Sequence, residues 1–88
     1  MESIQVLVKN KLGLHARASA KLTEVSSEFE SEISLIFNNQ KVNAKSIMGV
    51  MMLAASLGSK ITVEAEGDDE SEAIIKIQEI FESKFDED

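Results

Sequence analysis

The stretch that decides the fold is Ile33-Ser34-Leu35-Ile36-Phe37-Asn38-Asn39-Gln40-Lys41-Val42-Asn43. Ile33, Leu35 and Phe37 recur at the period of two that marks a half-buried strand. Asn38-Asn39 then reads as a hairpin turn, because asparagine tolerates positive φ better than most residues. Gln40 to Asn43 returns as a short strand.

Working outward, the chain before this hairpin supplies a strand and a helix. Ile4, Val6 and Val8 alternate with Gln5 and Leu7, and Lys9 to Gly13 breaks the pattern. From Ala16, apolar residues fall at Ala18, Leu22, Val25 and Phe29, one face of a helix running to about Ser27. After the hairpin, Ser46 opens a second helix through roughly Leu53. Ile61, Val63 and Ala65 alternate as a fourth strand. Gly67-Asp68-Asp69 is a turn and helix start, with acidic residues at the positive end of the dipole. Ile74, Ile77, Phe81 and Phe85 predict a long amphipathic helix, and Asp86 to Asp88 a frayed tail.

The order is therefore β-α-β-β-α-β-α, within a single domain over residues 1–88. Each strand has one apolar face and each helix an apolar stripe. Both sets are buried if all three helices cover one face of a four-stranded antiparallel sheet. The fold class is α+β, an open-faced two-layer sandwich, with Ser34, Thr62, Glu64 and Glu66 facing water.

Composition narrows the function. The 88 residues hold no cysteine, which excludes disulfides, thiolate metal sites and a cysteine nucleophile. Met1-Glu2 begins no signal peptide, and no run approaches the roughly 20 apolar residues of a membrane span. A cytoplasmic protein without membrane insertion is expected. The net charge of −7 falls entirely in residues 45–88, since residues 1–44 hold five basic and five acidic side chains. An acidic chain without tyrosine or tryptophan has little with which to bind nucleic acid. A protein partner with a basic surface suits it better.

Anion chemistry belongs in the neutral half, where Gly13-Leu14-His15-Ala16-Arg17 turns a loop into a helix. The first helical turn leaves N–H groups unpartnered at the positive end of a dipole, a ready anion site. Neutral imidazole is a nucleophile near pH 7 and leaves readily once phosphorylated. Arg17 offers a planar donor for phosphate oxygens, and Lys9 and Lys11 keep the loop positive. Position alone leaves two readings open: a phosphoryl acceptor, or an ordinary cap or surface residue.

Ser46 precedes a run that is apolar at Ile47, Met48, Val50, Met51, Met52 and Leu53. As N-cap it would accept from the N–H of Met48 or Gly49. A helix lying on a sheet buries one face, here Val50 and Leu53 with Leu57, leaving Ile47, Met48 and Met51 partly outside. Methionine-rich surface suits partners of several shapes.

Gly13-Leu14-His15-Ala16-Arg17-Ala18-Ser19-Ala20 resembles the active-site motif of the HPr family, the histidine-containing phosphocarriers of the bacterial phosphoenolpyruvate:sugar phosphotransferase system. Lys45-Ser46-Ile47-Met48-Gly49-Val50-Met51-Met52-Leu53 resembles the family's second motif. The likeness spans essentially the whole chain. It implies that His15 takes phosphate on Nδ1 (pros-phosphohistidine) from enzyme I and gives it to an enzyme IIA, with Arg17 stabilising the phosphoryl group. It implies a regulatory phosphosite at Ser46 for an HPr kinase/phosphorylase, and a docking surface of Ala16, Ala20, Ile47, Met48 and Met51. The family's usual motif carries proline where this chain has Ala18, so the helix start loses a φ restraint.

No cofactor and no metal are expected. Asp68-Asp69-Glu70 with Glu72 reads as a solvated run compensating a helix dipole, and no Ser-His-Asp set or glycine-rich phosphate loop is present. The protein would be a transfer intermediate without self-contained catalysis, and a monomer that keeps His15 free. The alternative is an HPr-like regulatory effector, including a nitrogen-related phosphotransfer branch, acting mainly by protein binding.

Overall fold

The computed structural model describes residues 1–87. Its elements are β1 (Glu2–Leu7), α1 (Ala16–Ser26), β2 (Glu32–Phe37), β3 (Gln40–Asn43), α2 (Ile47–Met52), β4 (Lys60–Glu66) and α3 (Glu70–Glu82). The four strands form one sheet in the order β1-β4-β2-β3, and every neighbouring pair is antiparallel. The fold class and element order read from the sequence both hold.

The pairing follows from the apolar alternation. Val63 on the central strand β4 lies between Ile4 of β1 and Leu35 of β2. A one-residue slip of β4 would turn Ile61, Val63 and Ala65 outward together, so burial of one face fixes the pairing. Ile33, Leu35, Ile61, Val63 and Ala65 point into the core beneath the helices. Ser34, Thr62 and Glu64 lie half-exposed on the other face, where Lys41 and Glu64 pair at 3.2 Å. The β2–β3 turn is tight because Asn38 and Asn39 both take positive φ, 52° and 64°, the backbone that a two-residue hairpin demands.

The helices bury what their spacing predicts. Ala18 and Leu22 of α1, Val50 of α2, and Ala73, Ile74, Ile77, Ile80 and Phe81 of α3 close the core. Burying each Val, Leu, Ile or Phe among them contributes about 1.5–3 kcal/mol.

The far end of the chain departs from its reading. The long helix stops at Glu82, and Phe85 sits in a separate 3-10 turn, Lys84–Asp86. Lys84, Phe85 and Asp86 all have positive φ, 57°, 56° and 59°. This backbone costs L-residues roughly 1–2 kcal/mol apiece. It persists because Phe85 is buried and packs edge-on against Phe81, ring centroids 4.9 Å apart. Asp86 and Glu87 are consequently no frayed tail: Asp86 pairs with Lys21 at 2.7 Å and Glu87 folds back onto the loop after β1. Asp88, the rest of that expected tail, lies outside the described residues.

Candidate functional site

The loop between β1 and α1 is fixed at several points before it reaches His15. The Val8 N–H donates to the Ser59 carbonyl at 2.9 Å, and the Val8 carbonyl accepts from Gly58. Asn10 is fully buried, and its Nδ2 donates to the Gly13 carbonyl at 2.8 Å. Gly13 takes φ +67°, where a side chain would be strained, and a Cβ there would fall 2.4 Å from the Ala55 carbonyl oxygen. Leu14 is buried, donates its N–H to that same carbonyl at 2.9 Å, and accepts from the Ser19 hydroxyl at 3.0 Å.

His15 follows as the N-cap residue of α1, with extended backbone (φ −77°, ψ −178°) and no hydrogen bond from its side chain to the helix. Among the described residues, no side chain accepts from the Ala16, Arg17 or Ala18 N–H. The positive end of an eleven-residue helix is therefore open beside the imidazole. Arg17 is exposed on that first turn and lines an open groove with Lys11, Leu12, Asp86 and Glu87.

The ring itself is held from the far end of the chain. His15 Nε2 lies 2.7 Å from Glu87 Oε2, and Glu87 Oε1 accepts from Asn10 Nδ2 at 3.0 Å. Burial pushes the Glu87 carboxyl up, but the hydrogen bonds from Asn10 and His15 and the Arg17 charge outweigh it. The group is held below the ordinary carboxylate range and is ionised. Neither Asn10 nor Glu87 stands out in the sequence. The one signal was Phe85: an apolar residue at the end of the α3 stripe keeps the chain packed, so the residues after it must land on the fold.

The structure redistributes other charges. Lys9 does not serve the loop, because its ammonium pairs with Glu82 of α3 at 2.7 Å. The acidic run is not simply solvated. The Asp69 carboxylate accepts from the Glu30 and Ser31 N–H groups and the Ser31 hydroxyl, and Glu70 accepts from Gly67 N–H at 3.1 Å.

Ser46 caps α2, its Oγ accepting from the Gly49 N–H at 3.1 Å. Val50 and Leu53 are buried below it. Leu57, expected to join them, is exposed, because the chain leaves the core after Ala55. Ile47, Met48 and Met51 are exposed, and so is Met52, which the sequence reading did not place outside. Ala16 and Ala20 are exposed on α1, which packs against α2, so both helices contribute to one side of the molecule.

A profile of the family described as "PTS HPr component phosphorylation site" matches residues 2–83. The chain is 52% identical to phosphocarrier protein HPr of Xylella fastidiosa over 84 residues, 96% of this chain and 94% of that protein. It is 42% identical to phosphocarrier protein NPr of Shewanella violacea over 83 residues, 94% and 91% of the two chains. The crystal structure of HPr-C-His from Thermoanaerobacter tengcongensis superposes with a TM-score of 0.96 at 48% identity, covering 100% of this chain and 99% of that one. With the family profile matching residues 2–83, about half of all positions identical to HPr proteins over nearly the full length, and the whole fold superposing on a solved HPr, the chain belongs to the HPr family, the phosphocarriers of the phosphotransferase system.

Proposed function

We propose that His15 is the phosphoryl acceptor, taking phosphate on Nδ1 from enzyme I and passing it to a histidine of an enzyme IIA. The observation that carries this reading is the placement of the imidazole at the uncapped start of α1. An incoming phosphoryl group meets free N–H donors and a helix dipole there, and the Arg17 guanidinium supplies a permanent charge alongside. Arg17 steadies the dianion and does no covalent chemistry. The chain supplies half of each reaction and its partner the other half.

Ser46 is proposed as the regulatory phosphosite for an HPr kinase/phosphorylase. Its half-exposed hydroxyl lies at the edge of the apolar surface formed by Ile47, Met48 and Met51. A dianion there would weaken docking through that apolar surface, because it would have to be desolvated as the partner closes over it. These residues with Ala16 and Ala20 form the proposed docking face for enzyme I and enzyme IIA. The carrier acts as a cytoplasmic monomer of one domain, which keeps that face and His15 accessible. Similarity to a phosphocarrier protein NPr favours a second reading, the nitrogen-related phosphotransfer branch, which would use the same histidine chemistry.

Incubation with phosphoenolpyruvate and a verified enzyme I, read by mass, tests the assignment. Acid-labile phosphate on the intact chain and none on His15→Ala is expected. Uptake by His15→Ala would overturn it.

A further inference from the structure

The geometry points to Glu87 as a positioning residue that, steadied by buried Asn10, keeps a proton on His15 Nε2 throughout phosphoryl transfer. The inference rests on the reading of His15 as the acceptor.

The donor assignments follow from valence. Asn10 Nδ2 faces two acceptors, the Gly13 carbonyl and Glu87 Oε1, which fixes which way its amide points. An ionised carboxylate can only accept. Glu87 Oε2 therefore receives its 2.7 Å contact from an Nε2–H on His15. A neutral imidazole has one ring proton. With that proton on Nε2, the Nδ1 lone pair is free to attack.

The same contact then serves both directions of transfer. On uptake, the P–N bond in the donor's phosphohistidine breaks as a bond from phosphorus to His15 Nδ1 forms. The departing electron pair stays on the donor's imidazole nitrogen. The Nε2 proton does not move, so the phosphorylated ring is cationic, and the Glu87 carboxylate stands against that charge. On delivery the bond to Nδ1 breaks, its electron pair returns to the ring, and the neutral Nε2–H form is restored. No proton crosses in either step. A cationic ring is also the better leaving group, which keeps the phosphate transferable.

The backbone supports this role. Three successive positive-φ residues, Lys84 to Asp86, bring Glu87 back to His15, an arrangement that costs energy and is retained beside the reactive side chain. Among the described residues, the charged groups around the groove are Asp86 and Glu87 after α3, Arg17 on α1 and Lys11 in the loop, while α2 holds none. Asp86 is engaged by Lys21, and Glu87 is the carboxylate on the ring among the described residues.

The test compares the full chain with Glu87→Gln and Glu87→Asp. Gln has one acceptor oxygen for two donors; Asp keeps both oxygens and the charge on a shorter stem. The unsubstituted chain is expected to show a protected His15 Nε2–H in the nitrogen-resolved NMR spectrum. Glu87→Gln is expected to lose it and to slow uptake from enzyme I by about tenfold, the low end of the loss that follows when the hydrogen-bond partner of a metal-bound histidine is removed. Its delivery to enzyme IIA should fail at lower pH than that of the unsubstituted chain. Glu87→Asp should recover part of both, with all three proteins unfolding at similar temperatures. Equal uptake, equal pH profiles and an unchanged Nε2–H signal in Glu87→Gln would overturn the inference. No uptake by the unsubstituted chain would instead overturn the reading of His15, and the Nε2–H signal of the unphosphorylated protein separates the two failures.

Discussion

The Leu14 N–H donates to the Ala55 carbonyl at 2.9 Å, and this bond ties the loop immediately before His15 to the segment between α2 and β4, as the Val8 bonds do at the loop's start. Gly13 makes the approach possible, since any Cβ would strike that carbonyl at 2.4 Å. Gly13→Ala combines a left-handed backbone penalty with backbone overpacking. A loss of about 2–4 kcal/mol is expected, lowering Tm by at least about 8 °C. Urea and thermal unfolding check it.

The Ser46 cap separates packing from charge. Ser46→Ala removes the acceptor for the Gly49 N–H and should cost about 1 kcal/mol. Ser46→Asp keeps a capping oxygen, so its stability should stay within about 0.5 kcal/mol of the parent. Its negative charge should nevertheless weaken enzyme I binding by calorimetry. Equal weakening by both substitutions would assign the effect to the cap instead.

Asp69 gives the protein an acid-sensitive fastening. The hydrogen bond from the Ser31 hydroxyl, then those from the Glu30 and Ser31 N–H groups, hold its carboxyl below the ordinary value. A group depressed in the folded state contributes stability above its unfolded pKa, about 3.9, and loses it as pH falls through the folded value. Asp69→Asn should therefore lower Tm at pH 7 and shrink the drop in Tm between pH 5 and the acid limit, by calorimetry across that range.

Met48 is a large exposed apolar side chain at 71% exposure. Met48→Glu should change stability by no more than about 0.5 kcal/mol while weakening binding to enzyme I. Unfolding and titration calorimetry together separate these effects.

Lys84 is exposed and held at φ 57°. Glycine adopts this backbone without the Cβ penalty, so Lys84→Gly should stabilise the protein by about 0.5–1 kcal/mol. Urea unfolding reads the gain.

Much of this architecture was legible in the sequence because period-two and helical apolar spacing report directly on burial. Ile33, Leu35, Val63 and Leu22 all landed where their spacing put them. Asn38-Asn39 revealed the hairpin through a backbone preference, and Ser46 its cap. The His15 segment was legible as a helix start. What held the histidine was not: Asn10 and Glu87 meet across 77 residues through side-chain polarity, which leaves no periodicity to read. Phe85 misled for a related reason. It kept the apolar spacing of α3 while its backbone left the helix, so the segment read as helix and tail became a return to the site.

The central claim, that His15 carries phosphate between proteins, is tested most directly by a chase. The chain is phosphorylated with phosphoenolpyruvate and enzyme I, separated from both, and mixed with an enzyme IIA. Loss of phosphate from His15 with equal gain on the acceptor's histidine is expected, in parallel with no phosphate on His15→Ala. Phosphate that stays on the chain, or leaves only as inorganic phosphate at the rate seen without the acceptor, would contradict it.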